Sequence, residues 1–201
     1  VRGYLEALSD GILPPSKETL DMLGREILRL VRLVEDLHQL TQAEAARTNL
    51  ARDRVAIAGL VAEVLDLSRA EFESRGITVD NSLGATLPEV SGDRDRLVQV
   101  LRNLTQNAWQ HTPEGGVLRI AAVEAPGALR ISFVNTGATI DEGELSHLFE
   151  RFYRSDKSRS RETGGAGIGL AVVKELIEAH GGTVGAALDG DEIRFWFELP
   201  V

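Results

Sequence analysis

The sequence predicts an α+β fold: a two-layer α/β sandwich preceded by a helical hairpin. Three observations predict it. Alternating apolar runs come in pairs at 117–123 with 128–134 and at 183–188 with 192–199, which reads as antiparallel hairpins. Between and before them lie helical stretches with one apolar stripe each, so helices can be laid on one face of the strands. Residues 1–46 carry a different pattern, apolar at Leu20, Leu23, Ile27, Leu30, Val34 and Leu37, alternating three and four apart as in a heptad seam.

In chain order, Arg2 to Leu8 reads as a helix closed by Asp10-Gly11 and the Pro14-Pro15 turn. Ser16 then N-caps a second helix, with Glu18 and Thr19 in its first turn. Val31, Leu33 and Leu40 widen the stripe beyond a two-helix seam, and so small a hairpin cannot bury it alone. It is expected to pair with a second copy as a dimeric four-helix bundle, in preference to packing on its own globular domain. The boundary is drawn between residues 1–50 and 51–201. Val55 to Ile57 is a strand candidate, 58–74 a helix, Gly76 its stop, and Ile77 to Val79 a strand. A helix from Arg94 to His111 is stopped by Thr112-Pro113, and Pro126-Gly127 turns the first hairpin. A short helix follows at 142–149, and a helix at 170–179 ends at Gly181-Gly182.

Composition bounds the function. The 201 residues carry a net charge of -9, which argues against a general nucleic-acid binder; no nucleic-acid partner is expected. There is no cysteine, hence no disulfide and no thiolate metal site. No apolar run of about eighteen residues exists to span a membrane, and residues 1–4 lack signal-peptide features. Against the acidic background, 151–161 is locally basic and could attract an anion.

Three segments carry candidate chemistry. Gly164 to Leu170 follows that basic loop and opens a helix, so its backbone N–H groups and the helix N-terminus suit a phosphate; a cap or turn is the plainer use of such glycines. On the helix 94–111, Leu97, Leu101, Leu104 and Ala108 form the apolar stripe, with Asn103, Asn107, Gln110 and His111 beside it. This polar face is either solvated or uses a carboxamide oxygen as a neutral ligand for a hydrated, phosphate-bound Mg2+. The four histidines have no i,i+4 partner, so a histidine metal site is disfavoured. Asn135 to Ile140 follows a strand directly: it is a turn, or a polar side chain and close backbone that read a flat base.

Together these segments resemble the sensor histidine kinases of two-component systems. Asn103 to Thr112 is similar to their N-box and Asn135 to Ile140 to their first glycine box. Leu148 to Arg154 is similar to their F-box, and Gly165 to Leu170 to their second glycine box, in the family's order. Residues 1–46 resemble the dimerisation hairpin, with Arg2 to Leu5 typical of the stretch after a phosphoacceptor histidine. The resemblance implies the ATP-binding sandwich also found in gyrase and MutL-type ATPases. It implies transfer of the γ-phosphoryl group of ATP to a histidine, for relay to a response regulator receiver domain. Carried over, Asn107 is the Mg2+ ligand, with Asn103 and Gln110 near the phosphates. His111 lies against the nucleotide, and Asn135, Gly137, Thr139 and Ile140 line the base. Arg151 and Arg154 reach toward the phosphates, Asn107 and Arg154 being the catalytic pair. Tyr153 to Gly164 is the lid, and Gly165, Gly167, Ile168, Gly169 and Leu170 close the site. Asn103 stands where related ATPases of this fold place a water-activating glutamate and cannot act as a base, which favours transfer to histidine over hydrolysis.

The chain departs from the family pattern in places. The first glycine box begins with Asn135 where an aspartate is usual, its second glycine is Thr139, and Ile193 stands in a usual glycine–threonine pattern. None of the four histidines has the phosphoacceptor context. The expected whole is therefore the cytoplasmic portion of a membrane-bound homodimeric sensor, its acceptor histidine upstream of residue 1. A relative with a degenerate nucleotide site, acting as a scaffold or response-regulator phosphatase, is the alternative. A dinucleotide enzyme fails because a polar loop, not a strand, precedes Gly165.

Overall fold

The computed structural model describes residues 2–46, 50–84, 86–154 and 167–201. The hairpin is α1 (Arg2–Ser9) and α2 (Lys17–Ala46). Ser16 caps α2, its Oγ accepting from Thr19 N at 3.3 Å. The remaining elements are β1 (Asp53–Val55), α3 (Ile57–Ser74), β2 (Thr78–Asn81), β3 (Val90–Gly92), α4 (Arg94–His111), β4 (Val117–Ala125), β5 (Ala128–Thr136), a 3-10 turn (Glu142–His147), α5 (Gly169–Ala179), β6 (Thr183–Asp189) and β7 (Glu192–Pro200).

Five strands form one sheet in the order β2-β4-β5-β7-β6, with β2 parallel to β4 and the other pairs antiparallel. Period-two alternation turns Leu118 and Ile120, Leu129, Ile131 and Phe133, and Ile193, Phe195, Phe197 and Leu199 to the buried face. α3, α4 and α5 cover that face with Leu60 and Val64, Val100, Leu101 and Leu104, and Val172, Val173, Leu176 and Ile177. The expected two-layer sandwich is therefore the observed one. Two details differ. Ala56 and Ile57 are not strand: Ala56 is the N-cap of α3 and Ile57 its first, buried residue. β3, read from sequence only as the lead into α4, pairs with β1 in a separate two-stranded sheet.

α2 divides along its length. Leu40 and Ala43 are buried in the sandwich core, beside a bond from Arg96 Nη1 on α4 to Gln42 Oε1 at 3.2 Å. Farther from the sandwich, Leu20, Ile27, Leu30, Val34 and Leu37 of the seam are exposed, while Leu23 is buried. Among the described residues no helix is long and apolar enough to cross a membrane.

Candidate functional site

The site follows α4. Asp93 caps this helix, its Oδ1 accepting from the N–H groups of Asp95 (3.1 Å) and Arg96 (3.2 Å). The cap is tied to α5 by His180, which the sequence reading left without a role. His180 is buried, Nδ1–H donates to Leu176 O at 2.7 Å, and Nε2 accepts from Asp93 N at 3.0 Å. These partners require the neutral Nδ1–H tautomer. Burial pushes its pKa below the ordinary value, against smaller upward pulls from the Leu176 carbonyl and Asp93. The far end of α4 is held to α3: Arg75 donates to the Trp109 carbonyl and, at 2.9 Å, to Thr112 O.

At that far end lies the first corner. Asn135 is the last inward position of β5 and is 1% exposed. Its sheet neighbours are Leu118 and Ile193, both apolar and buried, so neither can bond the amide. Both amide atoms of Asn135 and the hydroxyl of buried Thr112 lack any hydrogen-bond partner. A buried polar group left unpaired costs about 1–3 kcal/mol, so this corner is shaped for something that supplies partners. The following turn is pressed against Pro113: Gly137 has φ +79°, and a Cβ there would lie 2.6 Å from the proline ring. Only glycine meets both demands. Ile140 is half-buried against the core, while Thr139 and His111 are exposed, so the Thr139 side chain does not fill the corner. Thr112 was read from sequence as a helix stop and as the end of the N-box stretch, without a role at the base corner; its position directly after the polar face of α4 was the available signal.

The second corner joins the middle of α4 to the start of α5. A Cβ on Gly169 would lie 3.3 Å from Asn103 Oδ1, which brings these two expected residues together. The Nδ2 of Asn103 donates to Gln99 O at 3.1 Å. Asn107 and Gln110 are half-buried farther along the same helix. Gly167 has φ +73°, a Cβ there would be 2.6 Å from Tyr153 O and 3.1 Å from Arg154 Cγ, and its carbonyl accepts from Phe152 N at 3.0 Å. The 151–154 segment is thus anchored to the entry of α5, whose first N–H groups have no intrahelical acceptor. Ile168 is buried and Leu170 half-buried against the core. Gly165 and most of the expected lid, 155–164, lie outside the described residues. At 1.5 Å rise per residue, the two corners are about 13 Å apart along α4.

Two expected phosphate-side residues are engaged elsewhere. Arg151 lies 2.5 Å from the Glu44 carboxylate of α2 and 3.2 Å from that of Glu175 on α5; both bonds raise its pKa. Tyr153 OH donates to Glu144 at 2.8 Å, which raises the phenol's pKa, and its ring stands 5.5 Å from His147. Among the described residues no three His, Cys, Asp or Glu are grouped to hold a metal ion.

The two-layer sandwich, with a polar corner at the end of α4 and a helix N-terminus beside its middle, has the fold of a known class of ATPase domains. Residues 92–201 match the family described as histidine kinase-, DNA gyrase B-, and HSP90-like ATPase, and the chain belongs to that family. Its relatives are sensor histidine kinases. It is 37% identical over 187 residues to the signal transduction histidine-protein kinase BaeS of Escherichia coli K12, covering 93% of this chain but 40% of BaeS. Among solved structures it is similar to the Acinetobacter baumannii histidine kinase AdeS (TM-score 0.76, 25% identity, 99% of this chain and 92% of that one). It is also similar to full-length ShkA in complex with AMPPNP (TM-score 0.73, 31% identity, 99% and 38%). The chain spans about two fifths of the length of BaeS.

Proposed function

We propose that residues 51–201 bind Mg-ATP and transfer its γ-phosphoryl group to a histidine other than the four in this sequence, for relay to a response regulator aspartate. The observation that carries the reading is the corner at Asn135 and Thr112, where buried polar atoms wait for partners. A purine edge, which carries both donors and acceptors, supplies such partners. Kinship with sensor kinases, and the AMPPNP bound in ShkA, support the same choice of ligand.

In this reading the base meets Asn135 and the triphosphate runs along α4 toward the N-terminus of α5. There Asn103, Gln110 and the backbone at Gly167 and Gly169 offer donors. The Asn107 carboxamide oxygen would hold Mg2+ together with phosphate and water oxygens. The metal supplies charge neutralisation of the phosphates. Arg154, packed at Gly167, and Arg151, once it leaves Glu44, stabilise charge on the transferring group. The phosphorus–oxygen bond to ADP breaks as the phosphorus–nitrogen bond to imidazole forms. His180 is excluded as acceptor because it is buried with both ring nitrogens occupied.

The exposed seam of α2 supports a homodimer through the hairpin, and kinship supports a cytoplasmic position in a membrane-bound sensor. Calorimetric titration with Mg-ATP tests the site. Binding below millimolar concentration, abolished by Asn107→Asp without loss of the folded spectrum, is expected. No binding at millimolar nucleotide would instead leave a scaffold or phosphatase.

A further inference from the structure

Resting on the nucleotide reading above, we infer that Asn135 makes the base site accept 6-oxopurine nucleotides about as readily as 6-aminopurine ones. A carboxamide presents one donor and one acceptor side by side. The edge of a 6-aminopurine offers a donor at N6 and an acceptor at N1. A 6-oxopurine offers the reverse, an acceptor at O6 and a donor at N1–H. Turning the terminal amide by half a rotation matches it to either edge, and its orientation is set only by whatever it bonds.

Nothing around Asn135 sets it. Oδ1 and Nδ2 are both buried and both unpartnered. The flanking residues on the inner sheet face, Leu118 and Ile193, have no polar side-chain atoms. Two polar groups close to it in sequence have partners of their own and none is bonded to the amide. Ala138 N donates to Asp191 O at 2.7 Å, and the hydroxyl of Thr136 accepts from Val117 N at 3.0 Å. The remaining orphan, Thr112 Oγ1, is a hydroxyl that donates or accepts as required. A carboxylate at 135 would only accept; it would pair with N6–H and repel O6. The amide removes that repulsion and supplies the donor that O6 needs.

Inosine triphosphate is the probe, because it carries the 6-oxo edge without the 2-amino group of guanosine. Its dissociation constant and that of ATP are measured on the 201-residue chain by displacement of a fluorescent ATP analogue, with magnesium present. The expected ratio of the two is under about 10-fold, because each edge satisfies both amide atoms and leaves no buried group unpaired. In Asn135→Asp the ratio is expected to rise to about 100-fold or more in favour of ATP, since a fixed hydrogen-bonding polarity rejects its opposite. A wild-type ratio above about 10-fold overturns the inference while leaving the nucleotide reading intact, and so does a ratio unchanged by Asn135→Asp. If neither nucleotide displaces the probe, the nucleotide reading itself fails and takes the inference with it. The wild-type ratio alone decides the matter if the variant does not fold.

Discussion

The two ends of the candidate site differ in how their polar groups are spent. At the base end Asn135 and Thr112 are buried with nothing to bond. At the phosphate end Arg151 and Tyr153 are already satisfied, by Glu44 and Glu175 and by Glu144. The first end is rigid, held by β5, by the Arg75 ties to α4 and by the Gly137–Pro113 contact, so it can keep unpaired groups in place at a cost in stability. The second is built from partly exposed side chains whose ion pairs contribute little each and exchange readily. In the proposed reading a nucleotide gains affinity at the base end by bonding unpartnered groups, whereas at the phosphate end it competes with partners from α2 and the 3-10 turn. Because Glu44 belongs to the hairpin, the proposed competition would link nucleotide occupancy to how the hairpin's last turns grip the sandwich.

Breaking the base end should have the largest effect. Asn135→Leu is expected to weaken Mg-ATP by more than about 100-fold while raising the stability of the ligand-free chain by about 1–2 kcal/mol, as an orphaned amide becomes apolar packing. Titration and denaturant unfolding of the same sample check the opposite signs. Gly167→Ala strains a left-handed backbone and drives a methyl into Tyr153 O, so about 10-fold weaker binding and about 1–2 kcal/mol of destabilisation are expected together. At the phosphate end, Glu44→Gln should tighten Mg-ATP by about threefold with under about 1 kcal/mol of stability change. Weaker binding in that variant would mean that Arg151 does not exchange partners.

The smallest effect is a pH dependence at His180. Its folded pKa lies below the unfolded value, so the unfolded chain binds more protons in that window. Its contribution to stability is therefore full above about pH 6.5 and is lost as the pH falls below that. Urea midpoints between pH 7.5 and 5 should drop for the native chain, and less for His180→Gln.

The fold was legible wherever local periodicity and punctuation agree. Arg94 to His111 carries an apolar stripe and a Thr-Pro stop, and the helix has those bounds. β4 and β5 show plain alternation around Pro126-Gly127. β3 was not legible, since three residues paired with β1 across the length of α3 leave no period to read. In the site, the family resemblance assigned Asn103 and Gly169 to one nucleotide site, and the structure brings them together. The orphaned amide was not legible, because Asn135 is unpaired only through its neighbours Leu118 and Ile193 on other strands. The partner of Arg151 was not legible either, because the sequence does not reveal that α2 brings Glu44 to it. The role of His180 rests likewise on Asp93, far away in sequence.

The central claim is that the nucleotide base completes the hydrogen bonds of Asn135. The side-chain amide resonances of Asn135, followed by NMR while Mg-ATP is added, test it most directly. The account predicts a large shift of both amide protons and slowed exchange with solvent at saturation. Saturable ATP binding that leaves those two resonances unmoved would contradict it.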